Sequence, residues 1–197
     1  MTDYFVPANE AHTQIDVKKS VFIAYAQHTM SIADAKAYIQ SLKERYPDAR
    51  HHCYGYITGS PQDSNQYGFS DDNEPSGTAG MPIFNHLKHS GLGQITVVIV
   101  RYFGGTKLGT GGLARAYGDA TKAVLDILER KPYIEMKKVQ LTFPFSEESG
   151  VRKEIERIGG AIESLEYGEN VQLKAQIPEG VTMNLPYCVS LTSESTI

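Results

Sequence analysis

Between Ala11 and Thr29, two β-prone runs flank the polar interruption Lys18-Lys19-Ser20. The pattern predicts a strand pair or a bent strand. Ser31 then opens a helix to about Arg45, with Asp34 three positions on in a capping-box-like arrangement. Ile32, Ala35, Tyr38, Ile39 and Leu42 recur at helical spacing and form its predicted buried face. Pro47-Asp48 stops the helix, and His52 to Ile57 reads as a strand. Residues 58–76 are rich in Gly, Ser, Asp, Asn and Pro and read as one long polar loop, of a length that is often functional or disordered. Helix signals return from Ala79 to Lys88, with Pro82 in the first turn. Thr96 to Tyr102 is almost continuously apolar and β-branched, the pattern of a central buried strand. Glycine-rich residues 104–112 follow, and then a helix from about Leu113 to Leu128. Its predicted inner face is Leu113, Ala116, Tyr117, Ala120, Val124 and Leu128.

Lys131-Pro132 marks a boundary. Glu135 to Phe145 reads as a strand, and Ser146 as the cap of a helix to Ile158 that Gly159-Gly160 terminates. Ala161–Tyr167 and Val171–Ile177 form a hairpin around Gly168-Glu169-Asn170, and Val181 to Leu191 reads as a last strand. The expected organisation is therefore α+β in two domains, 1–132 and 136–197, the second with a β-α-β-β ferredoxin-like pattern.

Composition narrows the class. Of 197 residues, 41% are hydrophobic and 21% charged, which argues against disorder. The net charge of −4 gives no global signature of a nucleic-acid binder. Residues 1–131 hold 13 Lys/Arg against 13 Asp/Glu, and residues 132–197 hold 6 against 10. A polyanion therefore meets less repulsion at the first part. Cys53 and Cys188 fit neither a disulfide framework nor a metal-binding Cys pair. No secretory leader or membrane span is expected, and a cytoplasmic setting with no cofactor and no metal fits.

Two clusters carry candidate chemistry. In Arg101 to Tyr117, a buried strand runs into glycines and then a helix. Glycines let a backbone approach a ligand, and the unpaired amides of a helix's first turn favour an anion. Arg101, Gly104, Gly105, Lys107, Gly109, Gly111, Gly112 and Arg115 thus form a candidate anion or nucleic-acid site. The same residues can equally be a tight strand–helix connection. In Asp71 to Pro82, Gly77 and Thr78 lead into a helix and offer a second set of amides. Asp71, Asp72 and Glu74 can supply a general base or a divalent-cation site, or simply form a solvated turn, and Glu74 can pair with an arginine of the other cluster as a structural tie. His52 is a candidate acid or base beside Glu74, with a satisfied structural histidine as the alternative. Catalytic residues are otherwise unassigned.

The two clusters together resemble the signature of the YigZ/IMPACT family. Glu74 to Ile83 matches Glu-Pro-x-Gly-Thr-Ala-Gly-x-Pro-Ile, and Ile99 to Tyr117 matches the family's Val-Val-Arg-Tyr-Phe-Gly-Gly segment and its glycine-rich continuation, with Ile99 replacing the first Val. Lys19-Ser20-x-Phe22-Ile23 and the His51-x-Cys53 neighbourhood fit as well. The resemblance implies an N-terminal ribosomal-protein-S-five-domain-2-like fold, as in domain IV of elongation factor G, and a C-terminal ferredoxin-like domain, as in domain V. It also implies a translation-associated role and a cleft built from both clusters. After Ile177-Pro178-Glu179 the chain departs from the family pattern, in which a helix and closing strand follow, so the last part of the ferredoxin-like domain is where the expected pattern is open.

Three functions follow as expectations. One is RNA or ribosome contact through the glycine-rich basic cleft. Another is a hydrolase acting on a phosphorylated or carboxylated small molecule. The third is a protein–protein interaction module in stress regulation. Whether the chain is an enzyme stays open at this stage.

Overall fold

The computed structural model describes residues 4–196. The chain divides into two compact units, one ending at Tyr133 and the other beginning at Ile134.

The first unit is built on a five-stranded antiparallel sheet. Its strands are β2 (Ala11–Val17), β3 (Ser20–His28), β4 (His51–Ile57), β5 (Tyr67–Ser70) and β6 (Ile95–Tyr102), in the order β2-β3-β6-β4-β5. Central β6 is buried from Ile95 to Arg101 because helices cover both faces of the sheet. On one face lie α2 (Gly80–Lys88) and α3 (Thr110–Ile127). Ile83, Leu87, Leu113, Tyr117 and Val124 pack there on Phe22, Ala24, Cys53, Val97 and Ile99. On the other face α1 (Ile32–Arg45) sets Ile39 and Leu42 against Tyr25 and Val98. Burying each such aliphatic side chain contributes about 1.5–3 kcal/mol. Short strands β1 (Phe5–Pro7) and β7 (Arg130–Pro132) pair antiparallel.

The predicted elements form with four corrections. Ser31 does cap α1, accepting from the amide of Asp34 at 3.1 Å. The segment 58–76, however, is not one loop: Tyr67–Ser70 adds β5 to the sheet edge, and residues 64–66 make a 3-10 turn. Helix α3 starts at Thr110 rather than Leu113, so two glycines of the rich segment lie in its first turn.

The second unit contains β8 (Met136–Phe143), α4 (Glu148–Arg157), β9 (Ala161–Tyr167), β10 (Val171–Pro178) and β11 (Ser190–Thr196). Sheet order is β11-β8-β10-β9, every neighbour antiparallel. Val151 and Ile155 of α4 bury themselves on Val139, Leu141, Phe143, Leu173 and Ile177. Here too the third correction falls: Ser146 lies in a 3-10 turn, and α4 begins one residue past Glu147 with no side-chain cap. The last strand lies at 190–196 instead of 181–191, leaving the chain from Glu179 to Val189 without a helix. No helix among the described residues is long and apolar enough to cross a membrane.

Candidate functional site

Strand register brings both signature clusters to one end of the first sheet. Val21, just inside β3, pairs with Tyr102, and Arg101 lies opposite both Phe22 and His51. Three connections therefore end side by side: the Lys18-Lys19 turn, the 46–50 link between α1 and β4, and the glycine-rich segment after β6. Lys18 and Lys19 both take left-handed backbone (φ 47° and 68°), which makes the turn tight. The chain at Gly104 presses onto it, since a Cβ there would stand 2.0 Å from the carbonyl carbon of Lys19, and the Gly104 amide donates to Ser20 Oγ at 3.1 Å. Here the glycine is needed for close approach of two backbones.

Beneath this end lies a buried polar network. Arg101 Nη1 donates to Glu74 Oε1 at 2.5 Å, and the Tyr117 hydroxyl donates to the same oxygen at 2.8 Å. The Cys53 thiol donates to Tyr117 Oη at 3.3 Å and to the Asp71 carbonyl at 2.9 Å. Glu74, Arg101 and Tyr117 are all buried. Burial raises the Cys53 thiol pKa well above its usual value, against the opposing hydrogen bond to Tyr117, so no thiolate is available as a nucleophile. Burial raises Tyr117 as well, with Cys53 and Glu74 adding to the effect. The pair Glu74–Arg101 ties the loop before α2 to the end of the central strand. The structural-tie alternative for Glu74 is the one observed.

The amides at the start of α2 are occupied by the protein itself. Asp71 Oδ1 accepts from Ala79 and Gly80 at 2.9 and 2.8 Å, and Oδ2 accepts from Gly77 at 2.8 Å. Burial alone would raise the Asp71 pKa, but the three amides of Gly77, Gly80 and Ala79 outweigh it and hold the carboxyl below its ordinary range. Thr78 turns its hydroxyl onto the Pro75 carbonyl at 2.6 Å. The expected anion cradle at Gly77 and Thr78 is thus corrected to an internal cap. Asp72 is engaged too: Oδ2 accepts from the His52 amide at 2.7 Å, and Oδ1 meets Lys43 Nζ at 3.1 Å.

His52 and Glu74 do not meet. Strand alternation sends Cys53 toward α3 and His52 toward α1, on the opposite face from Glu74. His52 is buried, and that burial lowers its pKa against the pull of Asp72, keeping the ring neutral at neutral pH. The acid–base pairing expected of these two residues has no geometry behind it.

The glycine-rich segment is different. Gly105 (φ 87°) and Gly109 (φ 75°) need their positive φ, and open space surrounds both of them and Gly111. Gly109 stands at the N-cap of α3, and no side chain caps that end. Gly112 instead lies close to Leu108. Lys107 and Arg115 are exposed, as are Lys18, Lys19 and Arg50. Among the described residues none of these five makes an ion pair or a side-chain hydrogen bond that would neutralise it. Sequence reasoning grouped Arg101 with them, but Arg101 belongs to the buried network. It overlooked Asp71 as a cap, and Phe103 and the Lys18-Lys19 turn as parts of the surface. The signal for the turn was available, since Lys18-Lys19 interrupts two β-prone runs.

This architecture, an α+β unit whose glycine-rich loop follows its central strand, coincides with a known family domain. Residues 18–125 match the model of the Impact N-terminal domain. The chain is 41% identical over 179 residues to an IMPACT family member of Haemophilus influenzae, covering 91% of this chain and 87% of the relative. It is 39% identical over 178 residues to IMPACT family member YigZ of Escherichia coli, covering 90% and 87%. A solved structure described as that of a hypothetical protein superposes with a TM-score of 0.70 at 39% identity, over 90% of this chain and 86% of that one. The chain belongs to the IMPACT family.

Proposed function

We propose that this chain is a translation-associated, cytoplasmic binding protein that contacts RNA or the ribosome through the glycine-rich end of its first sheet. The observation that carries the reading is the coincidence of an uncapped α3 N-terminus with five exposed, unneutralised cations on adjoining segments: Lys18, Lys19, Arg50, Lys107 and Arg115. Unpaired amides and free cations are what a phosphate backbone takes up. The first unit then has the ribosomal-protein-S-five-domain-2-like fold and the second a ferredoxin-like one. The order β11-β8-β10-β9 supports the latter, with irregular chain in place of a second helix. A hydrolase has less to stand on, because Glu74 already receives two donors and His52 faces away from it.

The test is fluorescence anisotropy with labelled RNA, and co-sedimentation with ribosomes, across a range of salt. Binding should fall steeply with salt. Lys107→Ala with Arg115→Ala should reduce the logarithmic salt slope by roughly two, about one for each phosphate no longer neutralised. Absence of association with RNA and ribosomes at low salt would overturn the reading.

A further inference from the structure

Beside the glycine-rich loop, the 46–50 link and the end of β6 enclose a cavity of about 310 Å³ lined by Asp48, Arg50, His51, Arg101, Tyr102 and Phe103. We infer that this cavity holds one unpaired nucleotide of a single-stranded RNA, its phosphate on Arg50 and Arg101 and its base on the Phe103 ring. The inference rests on the RNA reading above and names the form of RNA that the site selects.

Three observations carry it. Arg101 keeps only 6% of its side chain exposed, and while Nη1 is committed to Glu74, its Nε–H has no partner. A buried donor of this kind is costly to leave unmatched, and a phosphate oxygen beside it would satisfy it. The guanidinium also lies near two rings, with Cζ 5.4 Å from the centre of Phe22 and 5.7 Å from that of Phe103. Phe22 is sealed in the core, whereas Phe103 is 55% exposed at the cavity wall. A large aromatic ring left in solvent beside cations is the stacking element of single-strand sites, because every base offers a π-face. The proposed site requires the exposed Phe103 ring to move aside onto the base so that the phosphate reaches the Nε–H of Arg101.

The remaining wall discriminates among anions. Asp48 would repel a bare phosphate, but its carboxylate accepts from a ribose hydroxyl or a base amino group. His51 donates Nδ1–H to the Asp72 carbonyl at 3.0 Å, which leaves Nε2 for polar groups of the same nucleotide. The volume is near the low end of the roughly 300–1,000 Å³ of small-molecule sites, enough for one nucleotide. Lys18, Lys19, Lys107 and Arg115 then serve the phosphates on either side. A duplex keeps its bases stacked inside and offers none to Phe103.

The chain has no tryptophan, so Phe103→Trp installs a single tryptophan at the stacking position, which can be excited selectively over the tyrosines. The experiment titrates this variant, the wild type, Phe103→Ala, Arg50→Ala and the control Lys122→Ala with a short oligouridylate and with an RNA duplex of equal length. Thermal melting establishes that each variant is folded. The wild type should prefer the single strand, and the oligouridylate should quench Phe103→Trp while the duplex does not. Phe103→Ala should lose roughly tenfold in single-strand affinity and little for duplex, Arg50→Ala should bind less and show a salt slope lower by about one, and Lys122→Ala should match the wild type. If the wild type binds both RNAs equally and Phe103→Ala changes neither, the pocket is wrong and the RNA reading stands. Displacement of the oligouridylate by inorganic phosphate at low millimolar concentration would also overturn the nucleotide assignment in favour of a plain anion site. If the wild type binds no RNA at all, the reading beneath the pocket has failed instead.

Discussion

Arg101 Nη1 meets Glu74 Oε1 at 2.5 Å across 27 residues of sequence, and both side chains are almost wholly buried. The pair joins the last buried position of the central strand to the loop that feeds α2. A desolvated pair of this kind is weak evidence for net stabilisation, yet removing one partner leaves an uncompensated charge inside.

Glu74→Ala should therefore destabilise the first unit by about 3–5 kcal/mol, whereas Glu74→Ala combined with Arg101→Met should recover much of that loss. Urea denaturation of the two variants and the wild type measures both. A single-variant loss under about 1 kcal/mol would mean that water reaches the pair.

Asp71 accepts three amides at the head of α2, so Asp71→Ala should cost about 1–2 kcal/mol. The effect depends on acidity in a definite direction. The folded state holds the Asp71 carboxyl below its ordinary value of 3.8, so its contribution is fully present above that value and is lost as the pH falls through the depressed one. Melting temperatures of the wild type and Asp71→Asn should differ at neutral pH and begin to converge only as the pH falls below about 4. A gap that is constant with pH would show that the charge of Asp71 is not what holds the amides.

Glycines of the same segment should respond in opposite ways. Gly104→Ala places its Cβ 2.0 Å from the Lys19 backbone and should destabilise strongly, shifting the melting temperature down by many degrees. Gly111→Ala meets nothing and adds helix propensity, for a gain of about 0.5–1 kcal/mol. If Gly111→Ala raises the melting temperature but weakens RNA binding, the bare backbone at that position serves the ligand.

One thiol should react in the native protein. Cys188 is exposed, while Cys53 is buried with its ionisation suppressed. A thiol-specific chromogenic reagent should therefore titrate one equivalent under native conditions and two in denaturant. Rapid native modification of both would contradict the burial of Cys53.

The helices were the most readable features. Ala35, Ile39 and Leu42 of α1 and Leu113, Ala116, Tyr117, Ala120 and Val124 of α3 bury the positions that their spacing indicates, because amphipathic periodicity is a local signal. Strand β5 was hidden, since Tyr67–Ser70 has little apolar pattern of its own and is held at the edge by pairing with β4. Asp71 was misread for a related reason: a cap normally sits beside its helix, and this one reaches amides six to nine residues further on. The acid–arginine tie could be anticipated as one of several alternatives, but only the register of β6 against β3 and β4 places Arg101 underneath the surface and leaves Lys107 and Arg115 on it.

The internal cap on α2 also bears on how inactive variants are to be judged. Of two glycine-bearing signatures at one end of a sheet, the stretch around Gly77 is already answered by Asp71, and the stretch around Gly105 faces outward. A missing phenotype after substitution in the first reports a loosened scaffold until its melting curve shows otherwise. Silence from a fully folded variant in the second is direct news about whatever this family member grips.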